Sequence, residues 1–133
     1  MVVIHRNIYS EILKKIGEKT IESGGFLGCD KLMKISAFTF DDIGEENTYL
    51  PNENNLNNAI RKWNSEGIRF VGFIHSHLDR NRLSYADIEF AKEFISLNEI
   101  ASIYMAILIL KNKSICLYKV TKHNVEKEDF LIE

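Results

Sequence analysis

Cysteine, proline and long apolar runs are scarce in this sequence. It has two cysteines and one proline in 133 residues. Its longest apolar run, residues 100–110 interrupted by Ser102, is shorter than the roughly 20 residues that span a bilayer. The chain does not open with a basic segment followed by a long apolar stretch, so no signal peptide is expected. We therefore predict a cytoplasmic protein with no membrane partner.

The two cysteines form no recognisable motif. Neither Cys29 nor Cys116 belongs to a CxxC pair, and two cysteines are too few for a disulfide framework. Each lies in an apolar run, which is typical of a buried free thiol in a reducing compartment. The sequence therefore gives no support for a metal held by cysteine.

An excess of one charge is also lacking. The chain has 17 basic and 19 acidic side chains, a formal net charge of -2. Because no basic surplus attracts phosphate backbones, nucleic acid is not an expected partner. With 45% hydrophobic and 27% charged residues the composition is that of an ordinary globular protein. We predict a single domain over residues 1–133, long enough to bury a core.

The order of hydrophobic patterns predicts an α/β fold of the α+β type. Apolar residues recur at helical spacing in three segments, and the other apolar segments are short enough for strands. Strand 70–74 is almost wholly apolar, so it should be central in a mixed sheet flanked by helices. Ile35, Ala37 and Phe38 should point inward. The predicted elements are helix 7–19, strands 26–29 and 33–40, loop 41–55, a helix from 56 that Gly67 ends, strand 70–74, loop 78–83, helix 84–97, and a hairpin of strands 103–110 and 114–120.

Two histidines follow the predicted central strand. In a strand, the side chains of His75 and His77 point to the same side. Imidazole is a good zinc ligand, and the carboxyl ends of strands in open α/β sheets tend to hold ligands. A lone histidine would more simply be a satisfied core residue. Two at this spacing predict a metal site.

A carboxylate ten residues later completes a set of three ligands. Asp87 falls in the first turn of the third predicted helix, where a short loop can return it to His75 and His77. Three protein ligands leave a position for water, which distinguishes a catalytic zinc site from a structural one. Ser84 and Asp87 also suit a plain helix start, with Ser84 as the N-cap. Ser84 can serve in both ways.

Glu22 is the candidate general base. It precedes Gly24 and Gly25, and we expect these glycines to end the first helix and turn the chain sharply, bringing Glu22 over the sheet edge. A carboxylate just after a helix end is poorly placed with respect to the helix dipole, and such departures concentrate at functional sites. The alternative is a solvated residue before a glycine turn.

These residues together resemble the JAMM (MPN-type) metalloprotease family. That family has a glutamate before a glycine-rich strand start, then HxH, a serine, and an aspartate three residues later. The resemblance covers essentially the whole chain and implies an MPN-type, cytidine-deaminase-like architecture. It also implies one zinc ion on His75, His77 and Asp87, Glu22 as general base, and Ser84 steadying the oxyanion.

Two departures from the family pattern affect the same loop. The proline that often follows HxH is Leu78 here, and six residues separate His77 from Ser84 where seven are common. A one-residue deletion in a surface loop is tolerable if the helix start still brings Asp87 to the metal. The shorter loop bears most directly on the role of Ser84.

The resemblance implies hydrolysis of a peptide or isopeptide bond at the C-terminal tail of a ubiquitin-like or sulfur-carrier protein. A non-catalytic binding module of the same fold is one alternative, although no ligand or base is missing. A small-molecule zinc hydrolase is another, but the HxE and paired-cysteine motif of nucleobase deaminases is absent. The asparagine-rich segment 52–58 would be either a substrate rim or, more simply, a helix start. His5 and His123 should be surface or structural residues.

Overall fold

In the described part of the chain, eight strands join into one mixed sheet, and three helices pack on it. The computed structural model describes residues 1–19, 21–43 and 50–133. The predicted α+β fold, a mixed sheet flanked by helices, is confirmed. In chain order the elements are β1 (Val2–Ile4), α1 (Arg6–Lys15), β2 (Ser23–Cys29), β3 (Lys34–Ile43), α2 (Glu53–Ser65), β4 (Arg69–His77), α3 (Tyr85–Asn98), β5 (Ser102–Ile109), β6 (Ser114–Thr121), β7 (Val125–Glu128) and β8 (Phe130–Ile132).

The sheet is rolled rather than flat. Its strand order is β7-β6-β5-β4-β2-β3-β1-β8, which puts β4 at the centre, as its apolar sequence predicts. Only Asp129 separates β7 from β8 along the chain, although these strands lie at opposite edges. Consecutive Cα atoms are about 3.8 Å apart, so the two edges must come together at this residue. The backbone N–H of Val2 in β1 donates to the Asp129 carbonyl at 3.4 Å, next to the junction.

Both faces of the central strands are buried. On one face, Ile12 and Ile16 from α1 and its end pack into an apolar cluster with side chains of β1 to β6. On the other face, Trp63 of α2 and Ala91 of α3 pack against Phe73 of β4. Because β4 is covered on both sides, a nearly continuous apolar sequence suits it. Ile35, Ala37 and Phe38 are buried, as predicted.

Several predicted boundaries are wrong. Helix α1 ends at Lys15 rather than near residue 19, with Gly17 in the turn that follows. Strand β3 continues to Ile43 and α2 begins at Glu53, so both ends of the predicted loop 41–55 belong to regular elements. Residues 44–49 of that loop lie outside the described residues. Cys29 is buried as expected, whereas Cys116 is only partly buried.

The interpretation of Gly24 and Gly25 as a turn is also wrong. Both lie inside β2, and Gly25 is needed for close packing rather than for a turn. A Cβ on Gly25 would lie 2.4 Å from the carbonyl oxygen of Thr39 in β3 and 2.6 Å from the Phe38 ring. Gly67, by contrast, follows α2 with φ of +73°, as expected of a glycine that ends a helix.

None of the helices in the described part of the chain is both long and apolar enough to cross a bilayer.

Candidate metal centre and catalytic pocket

His75 and His77 end the central strand and point to the face that α2 and α3 cover. Along β4 they share this face with Phe73, because side chains two residues apart in a strand point to the same side. Neighbours fix the strand here: His75 pairs with Ile107 and His77 with Ile109 in β5. The two histidines are 4% and 3% exposed, so their rings have little freedom to reorient.

Asp87 reaches both histidines from the first turn of α3. Its Oδ2 lies 3.2 Å from His75 Nε2 and 3.5 Å from His77 Nε2. The two Nε2 atoms lie 3.0 Å apart. All three ligand atoms fall within 4.8 Å of one another. The loop that is one residue shorter than the family pattern therefore still brings the aspartate to the histidines.

The spacing of these atoms fits a tetrahedral metal ion. Zinc bonds of about 2.0–2.1 Å at tetrahedral angles place neighbouring donor atoms roughly 3.3–3.4 Å apart. The observed separations of 3.0, 3.2 and 3.5 Å lie around that value. His75, His77 and Asp87 can thus bind a metal ion with small adjustments of the side chains, and a fourth position would be left open.

A backbone carbonyl orients the ring of His77. His77 Nδ1 lies 3.2 Å from the carbonyl oxygen of Arg80. A carbonyl can only accept, so Nδ1 carries the proton and donates. Nε2, on the other side of the ring, faces His75 and Asp87, where it donates to Asp87 when protonated and offers a lone pair to a cation when neutral. Metal-binding histidines are commonly held by such a hydrogen bond from their other nitrogen.

The environment of Asp87 keeps it ionised. Partial burial opposes the charge, but hydrogen bonds from His75 and His77 and from the backbone N–H of Ser84 outweigh it. The net effect holds the pKa of Asp87 well below its usual value. A ligand that is already deprotonated needs to release no proton when a cation binds.

Ser84 and Asp87 form a capping box at the start of α3. The backbone N–H of Asp87 donates to Ser84 Oγ at 3.0 Å, and that of Ser84 donates to Asp87 Oδ2 at 2.9 Å. The helix-cap interpretation of Ser84 is therefore confirmed. Its hydroxyl proton has no acceptor among the described residues, which leaves it able to donate into the pocket. Its predicted catalytic role stays a prediction.

Three further hydrogen bonds hold the loop that connects β4, the strand of the two histidines, to α3. The backbone N–H of Leu110 donates to the His77 carbonyl, and that of Lys111 to the Leu78 carbonyl, each at 2.9 Å. The Tyr118 hydroxyl donates to the Asn81 carbonyl at 2.5 Å. No local pattern in the sequence singles out Tyr118, because it lies in β6 far from the motif and from its partner Asn81.

All five residues singled out as ligands, base or oxyanion donor line one pocket of about 320 Å³. Glu22 faces this pocket together with the three candidate ligands and Ser84. Most of the remaining wall is formed by apolar residues. Among the described residues, Arg80 adds a positive charge to the pocket. The other lining residues are Leu50, Pro51, Phe73, Ala86, Phe90 and Met105.

Strand alternation, not a turn, places Glu22 over this face. Gly24 pairs with His75 and Phe26 with Phe73, so these residues share the pocket side of the sheet. Glu22, which immediately precedes β2, continues the same two-residue period. The alternation Glu22, Gly24, Phe26 was the sequence signal for this position. The alternative of a solvated Glu22 fits less well, because the residue is half-buried and lines the pocket.

The other candidates lie outside the pocket. His5 and His123 are exposed and do not line it, as expected. Asn52 is the N-cap of α2, and its side chain accepts the backbone N–H of Asn55 at 3.0 Å. The helix-start interpretation of the asparagine-rich segment 52–58 is therefore the one that the structure supports.

Among the solved structures that share this fold are two with low sequence identity to this chain. Protein DSY2949 from Desulfitobacterium hafniense, a solution structure, is 17% identical with a TM-score of 0.80 over 100% of this chain and 93% of that chain. AF2198, a JAB1/MPN domain protein from Archaeoglobus fulgidus, is 15% identical with a TM-score of 0.59 over 99% and 97%. No protein-family model and no curated protein sequence matches the chain. These similarities show that the chain has an MPN-like fold, and they carry no information about its activity.

Proposed function

We propose that this protein is a zinc-dependent metalloprotease or isopeptidase of the JAMM type. The observation that carries the proposal is the shared pocket of Glu22, His75, His77, Ser84 and Asp87. Metal-assisted amide hydrolysis needs ligands, a base and a donor for the oxyanion. The pocket has two histidines and a carboxylate as ligands, a second carboxylate outside the ligand set, and a hydroxyl. The MPN-like fold is consistent with that role.

Zinc suits this donor set better than a harder cation. Two imidazole nitrogens with one carboxylate oxygen is a ligand set of known catalytic zinc sites, whereas magnesium and calcium prefer oxygen alone. When bound, zinc would polarise the scissile carbonyl and acidify water at its open position. The rest of the mechanism lies with the side chains around it.

Glu22 would act as the general base and then as the acid. Its carboxylate lines the pocket without belonging to the ligand set, so it is available to take a proton from the attacking water. It would pass this proton to the departing amine. Ser84, whose hydroxyl faces the same pocket, would donate to the carbonyl oxygen as negative charge develops there. The Arg80 carbonyl would hold the ring of His77 in place through the proton on Nδ1.

The substrate that we propose is the C-terminal tail of a ubiquitin-like or sulfur-carrier protein. The pocket has a largely apolar wall that includes Leu50 and Phe90. Leu50, Leu78 and Tyr85 are exposed large apolar residues at or next to the residues of this pocket. An extended peptide tail with apolar side chains could bury against such a rim.

Replacing Glu22 by glutamine tests the proposal directly. The change removes the base but no metal ligand, so Glu22→Gln should keep about one zinc per chain while losing roughly 100- to 10,000-fold in turnover. Zinc would be measured by elemental analysis, and turnover with ubiquitin-like proteins fused through their C-terminal tails to a reporter. Glu18→Gln, an exposed glutamate in the turn after α1, is the matched control and should behave as wild type.

Two outcomes would overturn the proposal. Equal turnover in wild type and Glu22→Gln would remove Glu22 from the mechanism. Zinc bound in wild type with no cleavage of any such fusion would favour the non-catalytic binding module of the same fold.

A further inference from the structure

Ser76 lies between the two candidate histidine ligands but on the other face of the sheet. It is fully buried, with 0% of its surface exposed. Its hydroxyl contacts the backbone of one residue on the neighbouring strand. The backbone N–H of Ser23 donates to Ser76 Oγ at 3.0 Å, and the Ser76 hydroxyl donates to the Ser23 carbonyl at 3.4 Å.

This contact stands where the pairing of β2 with β4 stops. The last paired residues of the two strands are Gly24 and His75. The next residues along each strand are Ser23 and Ser76, and here a side chain instead of a backbone group satisfies both backbone groups of Ser23. Buried backbone groups need such a partner. The Ser76 hydroxyl therefore joins β2 to β4 at the point where their pairing stops, while on its other side Ser23 still pairs with Ile43 of β3.

The residue next to this contact is the candidate general base. Glu22 precedes Ser23, with Cα atoms about 3.8 Å apart. Ser76 is itself covalently joined to His75 and His77. One hydroxyl thus links the backbone beside Glu22 to the strand that carries two metal ligands, over a sequence separation of 53 residues.

We propose that Ser76 is a positioning residue that sets Glu22 relative to His75 and His77. The proposal rests on the proposed function of Glu22 as the general base. A misplacement of about 1 Å at a reacting group can cost roughly 100-fold in rate, so loss of this link should lower turnover without removing a ligand. If Ser76 only stabilised the sheet, its loss would change zinc binding, stability and turnover by the same amount whether or not Glu22 is present.

A double-mutant cycle separates the two roles. Ser76→Ala should keep about one zinc per chain and lose roughly 10- to 100-fold in kcat. In a Glu22→Gln background the same change should cost little more, because the group that Ser76 positions is already disabled. Ser36→Ala removes a buried hydroxyl of β3 that has no partner among the described residues, and it should leave kcat unchanged.

A readout without substrate accompanies the kinetics. The Ser23 amide proton donates to Ser76 Oγ, so its hydrogen exchange, followed by NMR, reports on this contact directly. Ser76→Ala should speed that exchange at least tenfold while the amides of the β4–β5 ladder stay protected. Unchanged exchange at Ser23 would overturn the proposal even if no fusion protein is cleaved, which keeps it distinguishable from failure of the proposed function.

Two conservative variants complete the experiment in case Ser76→Ala folds poorly. Ser76→Thr keeps the hydroxyl and should restore most of kcat and of the Ser23 protection. Ser76→Cys keeps the approximate volume with only a weak donor, and it should resemble Ser76→Ala. An equal fall of kcat from Ser76→Ala in both backgrounds, loss of zinc in Ser76→Ala, or a folded Ser76→Thr as slow as Ser76→Ala would each overturn the positioning role.

Discussion

The two sides of the candidate metal centre are built in different ways. His75 and His77 come from a buried strand that is covered on both faces, paired with β5 through both residues and with β2 as far as His75. Asp87 comes from the start of α3, after a loop whose residues 78–82 are exposed. On the first side the sheet fixes the ligands. On the second side a few hydrogen bonds at the surface do so.

The difference teaches where the site can vary. The spacing of His75 and His77 cannot change without moving the central strand, since a one-residue slip would turn both rings to the opposite face. The loop tolerates a length one residue below the JAMM pattern that the sequence resembles, because a capping box and three loop hydrogen bonds still place Asp87. We expect loss of a histidine ligand on the strand side to abolish metal binding, and loss of a loop hydrogen bond on the other side to weaken it.

Removing a strand ligand should have the largest effect. His77→Ala deletes one of three ligands and leaves Asp87 with one histidine partner, so zinc content should fall from about one per chain to near zero, with loss of turnover. Elemental analysis of the purified proteins measures this. His123→Ala, an exposed histidine outside the pocket, is the control. Full zinc in His77→Ala would show that the ligand set is wrong.

Changes at Ser84 should have an intermediate effect and separate its two roles. Ser84→Ala loses the cap, which costs about 1 kcal/mol, whereas Ser84→Gly loses only a few tenths of that. Both lose the hydroxyl, so both should slow turnover by roughly 100-fold if Ser84 stabilises the oxyanion. Thermal unfolding and kcat of the two variants are compared. Should Ser84→Gly turn over like wild type, Ser84 would be a helix cap only.

Local patterns predicted much of the fold and pointed to the residues of the pocket. The continuous apolar run of β4 predicted its central place, and the HxH period put both histidines on one face. Gly67 marked the end of α2 correctly. These features depend on a few neighbouring residues, so a short window of sequence contains them.

Features that depend on distant partners could not be predicted. β1, β7 and β8 have three or four residues each, and β1 and β8 pair with each other from opposite ends of the chain. Gly24 and Gly25 have the composition of a turn, yet both lie in a strand. Position 25 requires glycine because Thr39 and Phe38 of β3 leave no room for a Cβ. The Ser76 contact with Ser23 spans 53 residues, and a serine between two histidines gives no hint of it.

The smallest effect should come from the loop side, at Tyr118. Tyr118→Phe removes the hydrogen bond to the Asn81 carbonyl, which contributes about 0.5–1.5 kcal/mol. Because two backbone hydrogen bonds and the capping box remain, the zinc dissociation constant should rise only a few-fold, as measured by competition with a chelator. Tyr9→Phe, on α1 away from the pocket, is the control and should leave it unchanged. A loss of zinc as complete as that of His77→Ala would break the comparison, since the loop would then be held by one contact rather than by several.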